Sequence, residues 1–519
     1  MKITLVRPYY GHNPYEPPLG IAILAGYLEE KGYSVSIIDF ETTWVKSKDE
    51  IKEYVKEEDP DVVGVSFFTY DRFGAVKVAN AAKELGKVVI GGGLHMTFDP
   101  INTLHSVPSI NIGVLGEGEE ILFELMKLLE NNGSLQGIKG IVWRRNGKII
   151  INQLRPLISD LDSLPMPAYH LLPMDKYPYH QILGSRGCPY KCIFCASPEF
   201  WRRKVRFRSY KLVVDEIEYL IKNYGLKEFD FKDDVLFLNR KWTRNLCNEL
   251  LERNIGIRWN CLGRVDTIDK PLFKLMRKAG CNTIRFGIES GNERILRVIN
   301  KNITKQQVKY AVKVAKEVPF EVGTLFMLGH PSETVEEMEE TCQFAIELNA
   351  EHYNFKPTDI YPGTQLFHIA VKEGLLPKEY NWFERGRYKA GFLDYDDIPS
   401  YESSQFSRVL LEDTAKRFYL RTFFARAFTL KSLSDFTLSR FRTEIGFVPK
   451  SSKDFRIFIS EVIRELRIER TSKQRLLGIV IVTICILRKG GKAFYRRFKK
   501  LLELGIRRIP LARTLIKRQ

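Results

Sequence analysis

The sequence predicts an α/β protein in three parts: a doubly wound parallel sheet, an open partial (β/α)6 barrel, and a mainly α-helical, basic C-terminal region. Three observations carry this. Short β-branched runs alternate with amphipathic helical stretches in two separate blocks, the pattern of parallel sheets crossed by helices. At 519 residues the chain exceeds one ordinary core, so two or three domains are expected. Charge is also unevenly placed. Residues 401–519 hold 28 Lys and Arg against 10 Asp and Glu, whereas residues 1–400 hold 53 of each, so the net +18 lies wholly in the tail.

Residues 1–131 form the first block. Strands are expected at 3–6, 35–39, 62–66, 88–90 and 110–115, with helices at 19–31, 73–85 and 120–129. In such sheets ligands sit beyond the carboxyl ends of the strands. The loops there carry Pro17-Pro-Leu-Gly20, Ser66-Phe-Phe-Thr69-Tyr70, Gly91-Gly92-Gly93-Leu-His95-Met-Thr97 and Gly116-Glu117-Gly118-Glu119. Glycine at a strand end lets backbone approach a bulky ligand closely, yet on its own it fits any flavodoxin-like domain. Residues 132–180 read as a hairpin, turning at Asn146-Gly147, followed by a proline-punctuated interdomain linker.

Residues 181–380 form the second block, with strands at 228–232, 258–261, 283–288, 321–328 and 352–357 and helices at 210–223, 241–253, 272–279, 304–316 and 334–348. With the strand at 181–184 this makes six strand–helix units, fewer than a closed eight-unit barrel needs. That first strand leads into Gly184-Ser-Arg-Gly-Cys188-Pro-Tyr-Lys-Cys192-Ile-Phe194-Cys195. Three thiolates on one short loop suit three corners of a four-iron cluster, leaving the fourth iron free to chelate a small molecule. A zinc knuckle is the competing reading, but no Cys or His pair follows at zinc-finger spacing. Cys247, Cys261, Cys281 and Cys342 fall singly and read as small buried hydrophobes.

The cysteine spacing, with Phe194 before the last thiol, resembles the signature of radical S-adenosylmethionine (SAM) enzymes. The upstream glycine loops, taken together and in order, resemble the cobalamin-binding domain fused to many of them. The resemblance implies a [4Fe-4S] cluster on Cys188, Cys192 and Cys195, whose open iron binds SAM and cleaves it to methionine and a 5′-deoxyadenosyl radical. It implies SAM contacts at Phe194, Asp233, Asp234, Arg264, Glu289 and Gly329. Cobalamin contacts are implied at Gly20, Ser66, Thr69, Gly91, Gly92, Gly93, His95, Thr97, Gly116, Glu117, Gly118 and Glu119. The older cobalamin motif Asp-x-His-x-x-Gly is absent from the domain, implying cobalt with no protein imidazole beneath it; His12, Thr69 and Tyr70 are candidates to face it. The family's Gly-x-Pro-Gly-Glu reads Gly329-His-Pro-Ser-Glu333 here.

Residues 381–519 change character. Aromatics mix with arginine over 419–428, a twelve-residue apolar run is enclosed by Arg475 and Arg488, and cations interleave with apolar residues over 494–518. Twelve helical residues span about 18 Å, short of a bilayer core of about 30 Å. Three readings stay open for the tail: a membrane-surface anchor, a helical cap on the barrel, and RNA contact, the least favoured. The opening residues read as a strand, and the cysteines follow no paired framework, so a reducing cytoplasm is expected, with peripheral contact at the inner face of a membrane. The function expected is cobalamin-dependent methylation of an unactivated carbon in a hydrophobic or lipid-like small molecule, with an electron donor such as ferredoxin or flavodoxin. Ring formation or oxidation on a membrane lipid is the alternative, and a binding protein with a structural cluster is the reading from another class.

Overall fold

The β-branched runs of the first block form five parallel strands: β1 (Lys2–Arg7), β2 (Ser34–Asp39), β3 (Val62–Ser66), β4 (Val88–Gly92) and β5 (Ile112–Val114). The structure is a computed structural model that describes residues 1–11, 16–131, 133–385 and 397–427. The strand order β2-β1-β3-β4-β5 reverses between β1 and β3, which opens a crevice at their carboxyl ends. Strand alternation divides the core. Ile3 and Leu5 meet the helices Leu19–Glu30 and Glu119–Glu130 on one face, while Val63 and Val65 meet Lys48–Glu58 and Arg72–Glu84 on the other.

The hairpin expected in the linker instead extends this sheet. Strands β6 (Ile141–Arg145) and β7 (Lys148–Ile151) join β5 antiparallel, giving seven strands that continue past residue 131. The turn residues Asn146 and Gly147 have φ of 51° and 76°, the left-handed pair that a two-residue hairpin needs. The physical gain is coverage of the open edge of β5, with Ile141, Val142 and Trp143 buried. The linker that follows runs along the first helix. Ala168 N–H donates to Ala22 O at 2.9 Å, and a Cβ on Gly26 would stand 2.6 Å from Met166 O, so glycine is what lets the two segments touch.

The second block begins with β8 (Gln181–Ile182). Next comes the short antiparallel pair β9 (Ser185–Arg186) and β10 (Arg206–Phe207). Strands β11 (Glu228–Phe231), β12 (Arg258–Gly263), β13 (Cys281–Glu289), β14 (Glu321–Leu328) and β15 (His352–Pro357) follow. The parallel order is β15-β14-β13-β12-β11-β8, with β8 and β15 left unjoined at the two edges. It is the open (β/α)6 barrel that the strand count predicts. Phe231, Trp259, Phe286 and Phe326 are fully buried in its core, as are the four scattered cysteines.

The edge strand β15 is covered by the helix Arg408–Ala427. Phe418 and Tyr419 lie edge-on to Phe355 at 5.6 and 5.5 Å, and Arg421 pairs with Glu339. This first part of the basic tail is therefore a barrel cap. Residues 428–519, with the apolar run and the cationic segment, lie outside the described residues. Among the described residues no helix is long and apolar enough to cross a membrane. Because Phe355 is the shared contact of strand and cap, Phe355→Ala is expected to lower unfolding stability by about 3–5 kcal/mol in denaturant titration.

Candidate active site between the two sheets

The carboxyl ends of the two sheets face each other across one cavity of about 410 Å³. From the first sheet it is lined by Gly20, Ser66, Gly92, Gly93 and the Gly116–Glu119 loop, with Leu5, Ile21, Leu24, Ile90 and Leu122 as its apolar wall. From the barrel it is lined by Ser185, Arg186, Gly187, Ser197, Phe200, Trp201, Lys232 and Asp234. A Cβ on Gly20 or Gly116 would meet nothing within 4 Å. The cleft is thus shaped by missing side chains, with room for a bulky flat ligand against backbone.

Not every residue expected at this cleft reaches it. Gly91 is held against Met96 and Ile110 below the surface. His95 is fully buried, its Nδ1 3.1 Å from Thr69 Oγ1 and its ring among Phe67, Trp382 and Phe383, and burial drives its pKa well below the usual value. Thr69 is turned into the same contact, away from the cavity lining. Thr97 accepts from Gly116 N–H at 3.0 Å and donates to Gly93 O at 2.9 Å, so it joins two glycine loops without facing the cavity. Phe68, which sequence reasoning passed over, lines the cavity beside Ser66, 42 % exposed and stacked on Tyr70 at 5.1 Å. His12 lies outside the described residues.

The acidic pair of the glycine loop has partners of its own. Glu117 and Glu119 grip Arg186 at 2.6 and 2.7 Å, and Glu117 also holds Arg206 at 2.7 Å and the Ile158 N–H at 2.8 Å. Their carboxylates fasten the first sheet to the barrel, and only the surface of the loop is left for a ligand.

The cysteine loop is built with equal firmness. Gly187 has φ of 108°, and a Cβ there would lie 2.0 Å from Lys204 O, so only glycine can turn the chain into Cys188. Ile193 is buried; its N–H donates to Ile299 O and its carbonyl accepts from Leu366 N–H. Cys188, Cys192 and Cys195 are half-buried free thiols. Burial pushes Cys188 up to about 11 and Cys195 up to about 12, and raises Cys192 as well, so iron ligation must displace their protons. Three unpaired thiols on one braced loop, opening beside a cavity, fit three cluster ligands.

Around the loop, Asp233 is buried and accepts from Gly184 N–H at 3.0 Å and from the Ser185 hydroxyl. Burial pushes its carboxyl up to about 6. It braces the strand leading into the cysteines, whereas its neighbour Asp234 lines the cavity and accepts from Ser197 Oγ at 2.6 Å. Phe194 lies 6.4 Å, ring to ring, from His330, beside Gly329. Gly329 has φ of 82° and its N–H donates to Glu333 at 2.7 Å. Glu289 ends β13 in a left-handed conformation, φ 74°, and pairs with buried Lys301 at 2.9 Å. Arg264 is buried beside Cys192. The barrel side of the site therefore gathers Phe194, Asp234, Arg264, Glu289 and Gly329 around the strand ends, with Asp233 as a support.

Fold and site together define a two-sheet enzyme with a cluster loop and a glycine-lined cofactor cleft facing one another. The Radical SAM superfamily matches residues 182–345, and the B12 binding domain matches residues 13–126. An uncharacterized methyltransferase of Pyrococcus horikoshii is 37% identical over 412 residues, covering 78% of this chain and 88% of that protein. The anaerobic magnesium-protoporphyrin IX monomethyl ester cyclase of Rubrivivax gelatinosus is 32% identical over 387 residues, covering 71% of this chain and 69% of that protein. The radical SAM methyltransferase TsrM from Kitasatospora setae, solved with cobalamin and a [4Fe-4S] cluster, shares the fold at TM-score 0.65 and 19% identity, covering 80% of this chain and 84% of TsrM. The chain belongs to the cobalamin-dependent radical SAM enzymes, and its cofactors are a [4Fe-4S] cluster, SAM and cobalamin.

Glu333 gives this site a pH signature. It accepts from Gly329 and His330 N–H, its other oxygen has no hydrogen-bond partner among the described residues, and burial pushes its carboxyl up to about 8 from the usual 4.5. Between those values the folded protein keeps a proton that the unfolded chain has released, so stability falls as pH rises from 4.5 to about 8. Glu333→Gln is expected to flatten that part of a stability–pH curve measured by thermal unfolding.

Proposed function

We propose that the protein is a methyltransferase acting on an unactivated carbon of a hydrophobic small molecule that enters between the two sheets. The observation that carries the reading is the shared cavity: its glycine rim and apolar wall come from one sheet, and Asp234 and the residues flanking the cysteine loop come from the other. When bound, the cluster with SAM supplies a hydrogen-abstracting radical, and cobalamin supplies a transferable methyl group.

The residues of this chain position those groups. Cys188, Cys192 and Cys195 hold three irons. Phe194 and the Gly329 edge would hold the adenine end of SAM, Asp234 its amino end, and Glu289, held by Lys301, its ribose side. Gly20, Ser66, Gly92, Gly93, Gly116 and Gly118 let cobalamin lie against backbone. Phe68, Phe200 and Trp201 line the space between, where they exclude water from the reacting carbon. The cluster, when bound, would draw its electron from a donor of the ferredoxin or flavodoxin class.

A second reading, ring formation or oxidation, is favoured by the 32% identity to the ester cyclase. The lipid version of either reading rests on the basic tail, whose amphipathic segments lie outside the described residues.

The test is anaerobic. The protein is reconstituted with iron, sulfide and hydroxocobalamin, reduced with SAM present, and assayed for 5′-deoxyadenosine and methylcobalamin. Both products are expected. Deoxyadenosine without methylcobalamin would move ring formation or oxidation to the front, and neither product from protein carrying its cluster would overturn the enzyme reading.

A further inference from the structure

Arg264 stands out among the site cations because its hydrogen-bonding capacity is nearly used up inside the protein. The side chain is 5 % exposed. Its Nε and Nη2 donate to the two oxygens of Asp266, each at 3.0 Å. Nη2 also donates to Lys301 O at 2.8 Å, and Nη1 donates to Cys192 Sγ at 3.9 Å. The guanidinium carbon lies over the Tyr190 ring, 3.6 Å from its centroid.

A guanidinium has five N–H donors arranged along two forked edges. Here the Nε/Nη2 edge is closed by Asp266, and the Nη1/Nη2 edge is divided between the Lys301 carbonyl and the Cys192 sulfur. Neither fork is free for SAM, with which the family resemblance implies a contact at this position. What remains is a planar cation fixed by ring, carboxylate and carbonyl, with one nitrogen aimed at a cluster cysteine.

We propose that Arg264 is a positioning residue for the iron–sulfur cluster, donating an N–H···S bond to Cys192 that raises the cluster's reduction potential, and that it is not a SAM ligand. The inference rests on the assignment of the cluster to the cysteine loop. Reduction adds negative charge to the cluster and its thiolates, and a donor to one sulfur stabilises that charge, which is how hydrogen bonds to sulfur set cluster potentials. Tyr190 and Asp266 supply the rigidity: Tyr190 lies two residues after Cys188, inside the cysteine loop, so the loop carries the platform on which its own donor rests. Lys301 ties the arrangement to the neighbouring strand, because its carbonyl holds Arg264 while its amine holds Glu289.

The experiment is an EPR-monitored redox titration of the reconstituted full-length protein, with iron and sulfide counted in each sample and SAM affinity measured in parallel. Arg264→Lys keeps the charge but loses the fork and the flat stacking face. It is expected to keep four irons, shift the midpoint potential negative, and change SAM affinity by much less than tenfold, about 1.4 kcal/mol. An unchanged potential, whether or not thermal stability falls, would overturn the proposal, as would a loss of SAM affinity of about tenfold or more. Should Arg264→Lys fail to hold a cluster, Tyr190→Leu, which removes the ring beneath the guanidinium without altering a charge, is expected to shift the potential in the same direction, and no shift would again overturn it. Loss of iron in the native protein would instead count against the cluster assignment, so the two failures are distinguishable.

Discussion

Two carboxylates that follow β5 neutralise two arginines of the β9–β10 pair on the barrel side, and the site depends on that junction. Glu117 and Glu119 are 5 % exposed, and Arg186 and Arg206 are 11 % and 10 % exposed. Removing one partner of such a network leaves an uncompensated buried charge, at a cost of about 3–5 kcal/mol. The placement matters as much as the energy. Glu117 and Glu119 stand between and beside the glycines of the first sheet's last loop, while Arg186 adjoins Gly187 and lies two residues before Cys188. The loop that shapes the cofactor cleft and the loop that carries the thiols are thereby held by the same ion pairs.

Secondary contacts repeat the theme at the cavity rim and beyond it. Asp39, at the end of β2, receives both Arg7 and the Tyr177 hydroxyl of the linker. Lys232 at the end of β11 pairs with Glu16 at 2.7 Å. Arg72, fully buried, donates to the carbonyls of Thr69, Trp382 and Asp397. Its pKa is lowered to about 10 by burial, a cost offset by tying the first sheet to the chain that follows the barrel.

The cysteine spacing, the glycine loops and both strand–helix alternations were legible in the sequence, because each rests on residue types that do one thing well. Thiols at fixed spacing ligate iron, glycine frees the backbone, and β-branched runs alternating with amphipathic helices make parallel sheets. Side-chain direction was not legible. Nothing in Gly-Gly-Gly-Leu-His-Met-Thr says that Gly91 and the imidazole turn inward while Gly92 and Gly93 line the cleft, or that Thr97 divides its hydroxyl between two loops. Asp233 and Asp234 are adjacent, yet one braces a strand and the other faces the cavity, a division set in the loop that follows β11. The ion pairs of Glu117 and Glu119 were hidden for another reason: their partners lie about 70 to 90 residues away in sequence, and only the tertiary fold brings them within reach. Likewise the aromatic and arginine mixture over 419–428 reads equally well as lipid-facing or barrel-facing until Phe355 supplies its partner across the edge of β15.

The central claim is that cluster and cobalamin share one cavity between the two sheets, and the most direct measurement is magnetic. The fully loaded protein, frozen with cobalt as cob(II)alamin and the cluster reduced, is compared by EPR with the same protein whose cluster is oxidised. Facing cofactors predict dipolar broadening and faster relaxation of the cobalt signal only when the cluster is paramagnetic. An identical cobalt spectrum in both states, with cobalamin bound and four irons present, would contradict the account.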